Sequence, residues 1–186
     1  MPELDDYSGP FKPDLRLEDF SKKFLIKLIG EYQYAWLHMS EAWYYSVKDE
    51  CDQETANKCE MRAWIRMAER VMPYYAKIAN IQLNTVLDCL KNTQLGLDNN
   101  RVDSMFPMSW EIINENHVIM TCHKCRSLEF MERSAPERII PVCHINEPIM
   151  MAKYMVNPKV KVNLLKLPPR QSPDEFPCIW DLSMEE

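Results

Sequence analysis

Apolar residues recur at helical spacing through the first half of the chain and at alternating spacing through the second. Phe20, Phe24, Leu28, Ala35, Met39 and Trp43 predict one long helix ending near Cys51, capped by Asp14 or Asp19. Asp52 is the expected N-cap of a second helix, with Gln53 and Glu54 suited to its first turn and Ala56, Cys59, Ala63, Met67 and Val71 as its buried stripe. Pro73 should break or kink that pattern at Met72, with a third helix over about 74–93 and Gly96 as its terminator. Residues 1–13, with Pro2, Gly9, Pro10 and Pro13, read as an arm.

From about Arg101 the period shortens. Residues 109–114 and 117–121 predict a hairpin turning at Glu115-Asn116, with the second strand free to continue through Phe130. A helix is expected over 144–156, with Pro148 in its first turn. Val160, Val162 and Leu164 alternate with polar partners in a strand over 159–167, ended by Pro168-Pro169. A last short strand, 177–183, places Cys178 and Trp180 on one face. The expected architecture is α+β: N-terminal helices packed on a mostly antiparallel C-terminal sheet with one inserted helix. After the arm, 14–186 is read as one domain, with a helical part to about 100 and a sheet part from 101.

Composition narrows the chemistry. Only three glycines are present, so neither a P-loop nor a GxGxxG turn nor a GxSxG elbow can be written. Net charge is −6 and neither half is basic, which argues against a nucleic-acid partner. No apolar run is long enough to span a bilayer, and the acidic start is unlike a signal peptide, so a cytoplasmic location is expected. Seven cysteines in 186 residues then read as free thiols or metal thiolates.

Four cysteines lie in the second half. Cys122 and Cys125 have the two-residue gap that lets two thiolates grip one ion; Cys143 and Cys178 follow. Zinc is the expected cofactor, with iron or an iron–sulfur cluster as alternatives. On one regular strand Cys122 and Cys125 would face apart, so both bind only if the chain turns at His123-Lys124. Otherwise Cys122, Cys143 and Cys178 remain, with His144 or water as the fourth ligand. A closed four-cysteine site is structural in type; an open one is catalytic. The competing reading is four buried, inert thiols. Cys51, Cys59 and Cys89 are assigned to core packing.

The aromatic segment 32–45 is the second unusual feature. His38 and Glu41, three apart on a helix, can form a base and its partner, or an ordinary surface pair. Trp36, Trp43 and Tyr44 are candidate substrate-binding residues, against the plainer reading of core aromatics. His117 is expected in the open. Arg133, Arg138, Lys153, Lys159 and Lys161 are expected on solvated faces.

Several stretches carry a resemblance. Trp43-Tyr44-Tyr45-Ser46-Val47 precedes Glu54, Ala56 and Trp64. Later come Pro141-Val142-Cys143, Asn157-Pro158-Lys159-Val160-Lys161-Val162, Pro168-Pro169 and Cys178-Ile179-Trp180-Asp181. In this order, over about 36–182, they resemble a family of small bacterial and archaeal cytosolic proteins of unknown function. That family is distantly similar to the L-2-amino-thiazoline-4-carboxylic acid hydrolase-like proteins, which have a similar three-cysteine tail. The resemblance implies that Cys122, Cys143 and Cys178 are the shared cysteines and Cys125 an addition. The chain departs from the pattern at Ser40-Glu41, where the relatives show Asp-Gly.

The functional expectation is a metal-dependent enzyme acting on a small molecule, with His38, Glu41 and His144 moving protons. The hydrolase relatives imply opening of a cyclic C–N bond. A non-catalytic small-molecule or partner-binding domain with a structural zinc is the first alternative, and a thiol redox protein using Cys122 and Cys125 is the second. A homodimer is among the expected partners.

Overall fold

The computed structural model describes residues 3–96 and 106–185. Among them are five α-helices and one four-stranded antiparallel sheet, the α+β class that the sequence pattern predicts. The helices are α1 (Lys22–Glu50), α2 (Gln53–Ala79), α3 (Val86–Thr93), α4 (Arg126–Ser134) and α5 (Glu147–Tyr154). The strands are β1 (Met108–Asn114), β2 (His117–Cys122), β3 (Lys161–Lys166) and β4 (Cys178–Ser183), in the order β1-β2-β4-β3. No helix among the described residues is long and apolar enough to cross a membrane. The chain divides into two units, Met1–Trp43 and Tyr44–Glu186. The change of pattern expected near residue 100 lies outside the described residues.

In the first unit the arm is tied down. Leu4 bonds Asp19 and Ser21 through its backbone at 2.8 and 2.9 Å, and Phe20 stacks on Phe24 at 4.3 Å. Ser21, rather than Asp14 or Asp19, caps α1: the Phe24 N–H donates to its hydroxyl at 3.2 Å. Asp19 instead accepts from the Arg16 N–H at 2.8 Å. The buried line of α1 also differs from expectation. Ala35, Met39 and Trp43 are exposed, whereas Gln33 is buried.

In the second unit, Asp52 caps α2 as expected, accepting from the Thr55 N–H at 2.7 Å. The helix then runs through Pro73 rather than breaking there. A proline removes one helical donor, and burial of Ala68, Met72 and Ala76 on a common face outweighs that loss. The buried stripe therefore continues through these residues, while Ala63 is exposed. Asn80, left-handed at φ 55°, ends α2 in a Schellman motif: the Ile81 N–H reaches the Ala76 carbonyl at 2.9 Å, and the Asn80 N–H the Lys77 carbonyl at 3.3 Å. The expected single third helix is thus the end of α2 plus a separate α3. Thr85 and Asp88 open α3 with a reciprocal capping box at 3.1 and 3.3 Å.

The sheet buries one face by strict alternation. Val118, Met120 and Cys122 of β2 point inward with Trp180 and Leu182 of β4. Val86, Cys89 and Leu90 of α3, with Met155 and Val160, complete this core. A second, smaller core joins Leu128 and Met131 of α4 to Ile139. The expected continuation of β2 through Phe130 does not occur, because the strand ends at Cys122 and α4 begins at Arg126.

Candidate metal centre

The end of the sheet positions two of the four thiols. Cys122 closes β2, Cys178 opens β4, and the two are register partners. Their sulfurs are within hydrogen-bond reach of each other. The Cys122 thiol also donates to the Lys124 carbonyl at 3.1 Å, and the Trp180 indole N–H donates to the Cys178 sulfur at 3.1 Å. A sulfur that accepts such donors holds negative charge more easily. The neighbouring Cys122 thiol lowers the pKa of Cys178, while the same contact, followed by burial, raises that of Cys122.

The chain then leaves the sheet. After β2 the His123 N–H donates to the Pro107 carbonyl at 2.8 Å, and the strand stops. Cys125 becomes the N-cap of α4, its sulfur accepting from the Leu128 N–H at 3.3 Å. Burial pushes its thiol up to about 12, with Glu147 and Cys178 adding to the shift. Cys143 sits on a π-helical segment, Ile140–Asn146, that leads into α5. Its pKa is also raised, first by burial, then by Glu147, Cys125, Cys178 and Glu132. Each of the four thiols therefore feels at least one of the others. Cys125 and Cys143 pack against the second core, Cys178 against the first.

This is a neighbourhood of thiols rather than a formed coordination shell. Among the described residues, no three or more Cys, His, Asp and Glu side chains are gathered as tightly as a bound ion demands. The set nevertheless has the right chemistry for a thiophilic cation: soft sulfurs on separate elements, two of them already accepting N–H donors.

The other expected site residues are placed differently. His144 neighbours Cys143 in sequence, and its Nε2 contacts the Pro168 carbonyl at 2.5 Å. In the first unit, His38 Nδ1 lies 3.8 Å from Glu41 Oε2, with both side chains about half exposed. Trp36 and Trp43 are exposed as well. Tyr44 belongs to the second unit and is buried; its hydroxyl donates to Asn57 Oδ1 at 3.2 Å and its ring lies 3.7 Å from the Arg138 guanidinium. Arg138 itself is buried against Glu60, not solvated. His117 is half-buried with Nε2 3.0 Å from Asp181 Oδ1. Cys51 is exposed, contrary to its assignment to the core, whereas Cys89 is buried.

Three contributors escape a reading of the sequence. Glu147, at the start of α5, acts on both Cys125 and Cys143. Trp180 supplies its indole donor to Cys178, which the Cys-x-Trp spacing on a strand foreshadows. Arg170 grips Glu132 of α4 through two nitrogens, at 3.0 and 2.5 Å, and donates to the Pro173 carbonyl at 2.9 Å, binding the loop before Cys178 to the helix after Cys125.

A family model described as a family of unknown function, DUF6125, matches residues 18–184. The chain belongs to DUF6125. The match takes in both the aromatic helix and Cys122, Cys125, Cys143 and Cys178 of this DUF6125 chain. No curated protein and no solved structure matches it.

Proposed function

We propose that this DUF6125 chain is a small-molecule or partner-binding domain of a reducing, cytoplasmic compartment, stabilised by a zinc ion on Cys122, Cys125, Cys143 and Cys178. The break in the strand at His123-Lys124 carries the reading, because it frees Cys125 from a strand on which it would face away from Cys122. Four sulfurs from β2, the α4 cap, the π-helical segment and β4 suit a closed, tetrahedral thiolate site. Such a site ties the sheet to α4 and the π-helical segment, which pack in a small core of their own.

Elemental analysis of anaerobically purified protein tests this. The wild type should carry about one zinc per chain, and Cys125→Ser should lose it. Wild-type protein without metal would overturn the proposal.

A second reading has one observation in its favour: Glu147 lies beside Cys125 and Cys143 as a carboxylate able to move protons. It is a metal-dependent enzyme opening a cyclic C–N bond, as the likeness to thiazoline-carboxylate hydrolase-like proteins suggests. Zinc retained in Cys125→Ser favours this three-cysteine, open arrangement.

A further inference from the structure

Helix α1 carries an apolar pattern that the zinc reading leaves unused. Ile29, Tyr32, Trp36, Met39 and Trp43 follow one another at intervals of three, four, three and four residues. This is the 3-4 rhythm of an apolar helix face, the spacing by which two helices interlock along a seam. All five side chains are exposed, from 44% for Trp36 to 65% for Met39. The positions flanking the seam hold Ala35 and Ala42 on one side and Gln33 and Ser40 on the other, all uncharged. Glu31, His38 and Glu41 occupy outer positions of the same helix.

We propose that residues 29–43 of α1 pair with the same segment of a second copy, antiparallel, about a two-fold axis at Trp36. A neutral face can meet its own copy without opposing like charges. The five side chains expose on the order of 600 Å² per copy, so the pair buries roughly 1,200 Å², at the lower edge of stable interfaces. The antiparallel register balances volumes: Trp43 faces Ile29, Tyr32 faces Met39, and Trp36 meets itself. A parallel register sets both tryptophan pairs level with each other and leaves Ile29 against Ile29. The inference goes beyond the zinc reading and does not rest on it.

Sedimentation of the purified full chain over the micromolar range tests the pairing. The wild type should be a dimer. Trp36→Glu should raise the dissociation constant by about a hundredfold or more, with circular dichroism and zinc content unchanged. Lys27→Glu, an outer position, should leave the dimer intact. In a Cys51→Ser background, Trp36→Cys should cross-link to its copy on oxidation. Met39→Cys should not, because its copies lie about 9 Å apart along the seam. A wild type that stays monomeric, a dimer indifferent to Trp36→Glu, or efficient cross-linking through Met39→Cys would each overturn the proposal. A zinc-loaded monomer defeats the pairing alone; a metal-free dimer defeats the zinc reading alone.

Discussion

At the scale of single residues, the most consequential side chain outside the thiols is Arg138. It is only 9% exposed, pairs with Glu60 at 2.8 Å and lies over the Tyr44 ring. Removing one partner of a buried pair strands the other charge, so Arg138→Ala should cost about 3–5 kcal/mol in denaturant unfolding. Burial, opposed by Arg138, raises the Glu60 pKa above its ordinary 4.5. A raised carboxylate contributes stability that is present below the unfolded pKa and is lost as pH rises through the folded one. The stability difference between wild type and Glu60→Gln should therefore move in the variant's favour as pH rises from about 4.5, as read by urea titrations at several pH values. Thiol reactivity offers a second measurement. Burial pushes Cys89 up to about 11, and Cys51 is exposed. Alkylation at mildly alkaline pH followed by mass spectrometry should find Cys51 labelled first and Cys89 protected until unfolding. Arg138 also shows a limit of residue-type reasoning: arginines are usually solvated, and only the fold reveals that Glu60 and Tyr44 enclose this one.

At the scale of elements, short-range signals were readable where one local rule acts alone. Asp52 at a helix start and the alternation of 117–122 each name their element without outside help. Pro73 misleads because two rules compete there. Its ring opposes a helix locally, while Ala68, Met72 and Ala76 bury a face that only a continuous helix presents. Pro73→Ala restores a helical N–H at an exposed position and should stabilise the protein by about 1–3 kcal/mol, read as a higher denaturation midpoint. Asn80 tests the other end. At φ 55° it occupies the left-handed region. Asn80→Ala should cost about 1 kcal/mol and Asn80→Gly less. The expected terminator, Gly96, sits beyond α3, so the residue that ends α2 went unseen: asparagine is a weaker marker than glycine for the same geometry. The shift from β2 to α4 has a similar origin. Cys125 acts as a helix cap, a role that few sequence rules assign to cysteine.

At the scale of the whole molecule, the question is what joins the sheet to the segments after it. Cys122 and Cys178 belong to the sheet, Cys125 to the cap of α4 and Cys143 to the π-helical lead into α5. The spacing of these cysteines predicts a common site; the pairing of Cys122 with Cys178 depends on the long-range register of β2 with β4, which no local pattern encodes. The aromatic helix is the converse case. Its periodicity was legible, but the expected buried line includes Met39 and Trp43, which are exposed. Periodicity identifies an apolar face without saying what covers it. If zinc occupies the thiol cluster, it binds the folded chain and stabilises it by mass action. Free zinc at a hundred times its dissociation constant adds about 2.7 kcal/mol. For a chain of this size that corresponds to a rise in Tm of roughly 5–10 °C over chelator-treated protein. Differential scanning calorimetry should find this rise in the wild type and lose most of it in Cys143→Ser. Cys89→Ala is a useful contrast, because Cys89 is buried in the first core outside the cluster. That variant should lower Tm yet keep the full zinc-dependent increment, since a core cavity and a missing ligand act on different free energies. Equal increments in wild type and Cys143→Ser would place the ion elsewhere and leave the four thiols as core residues.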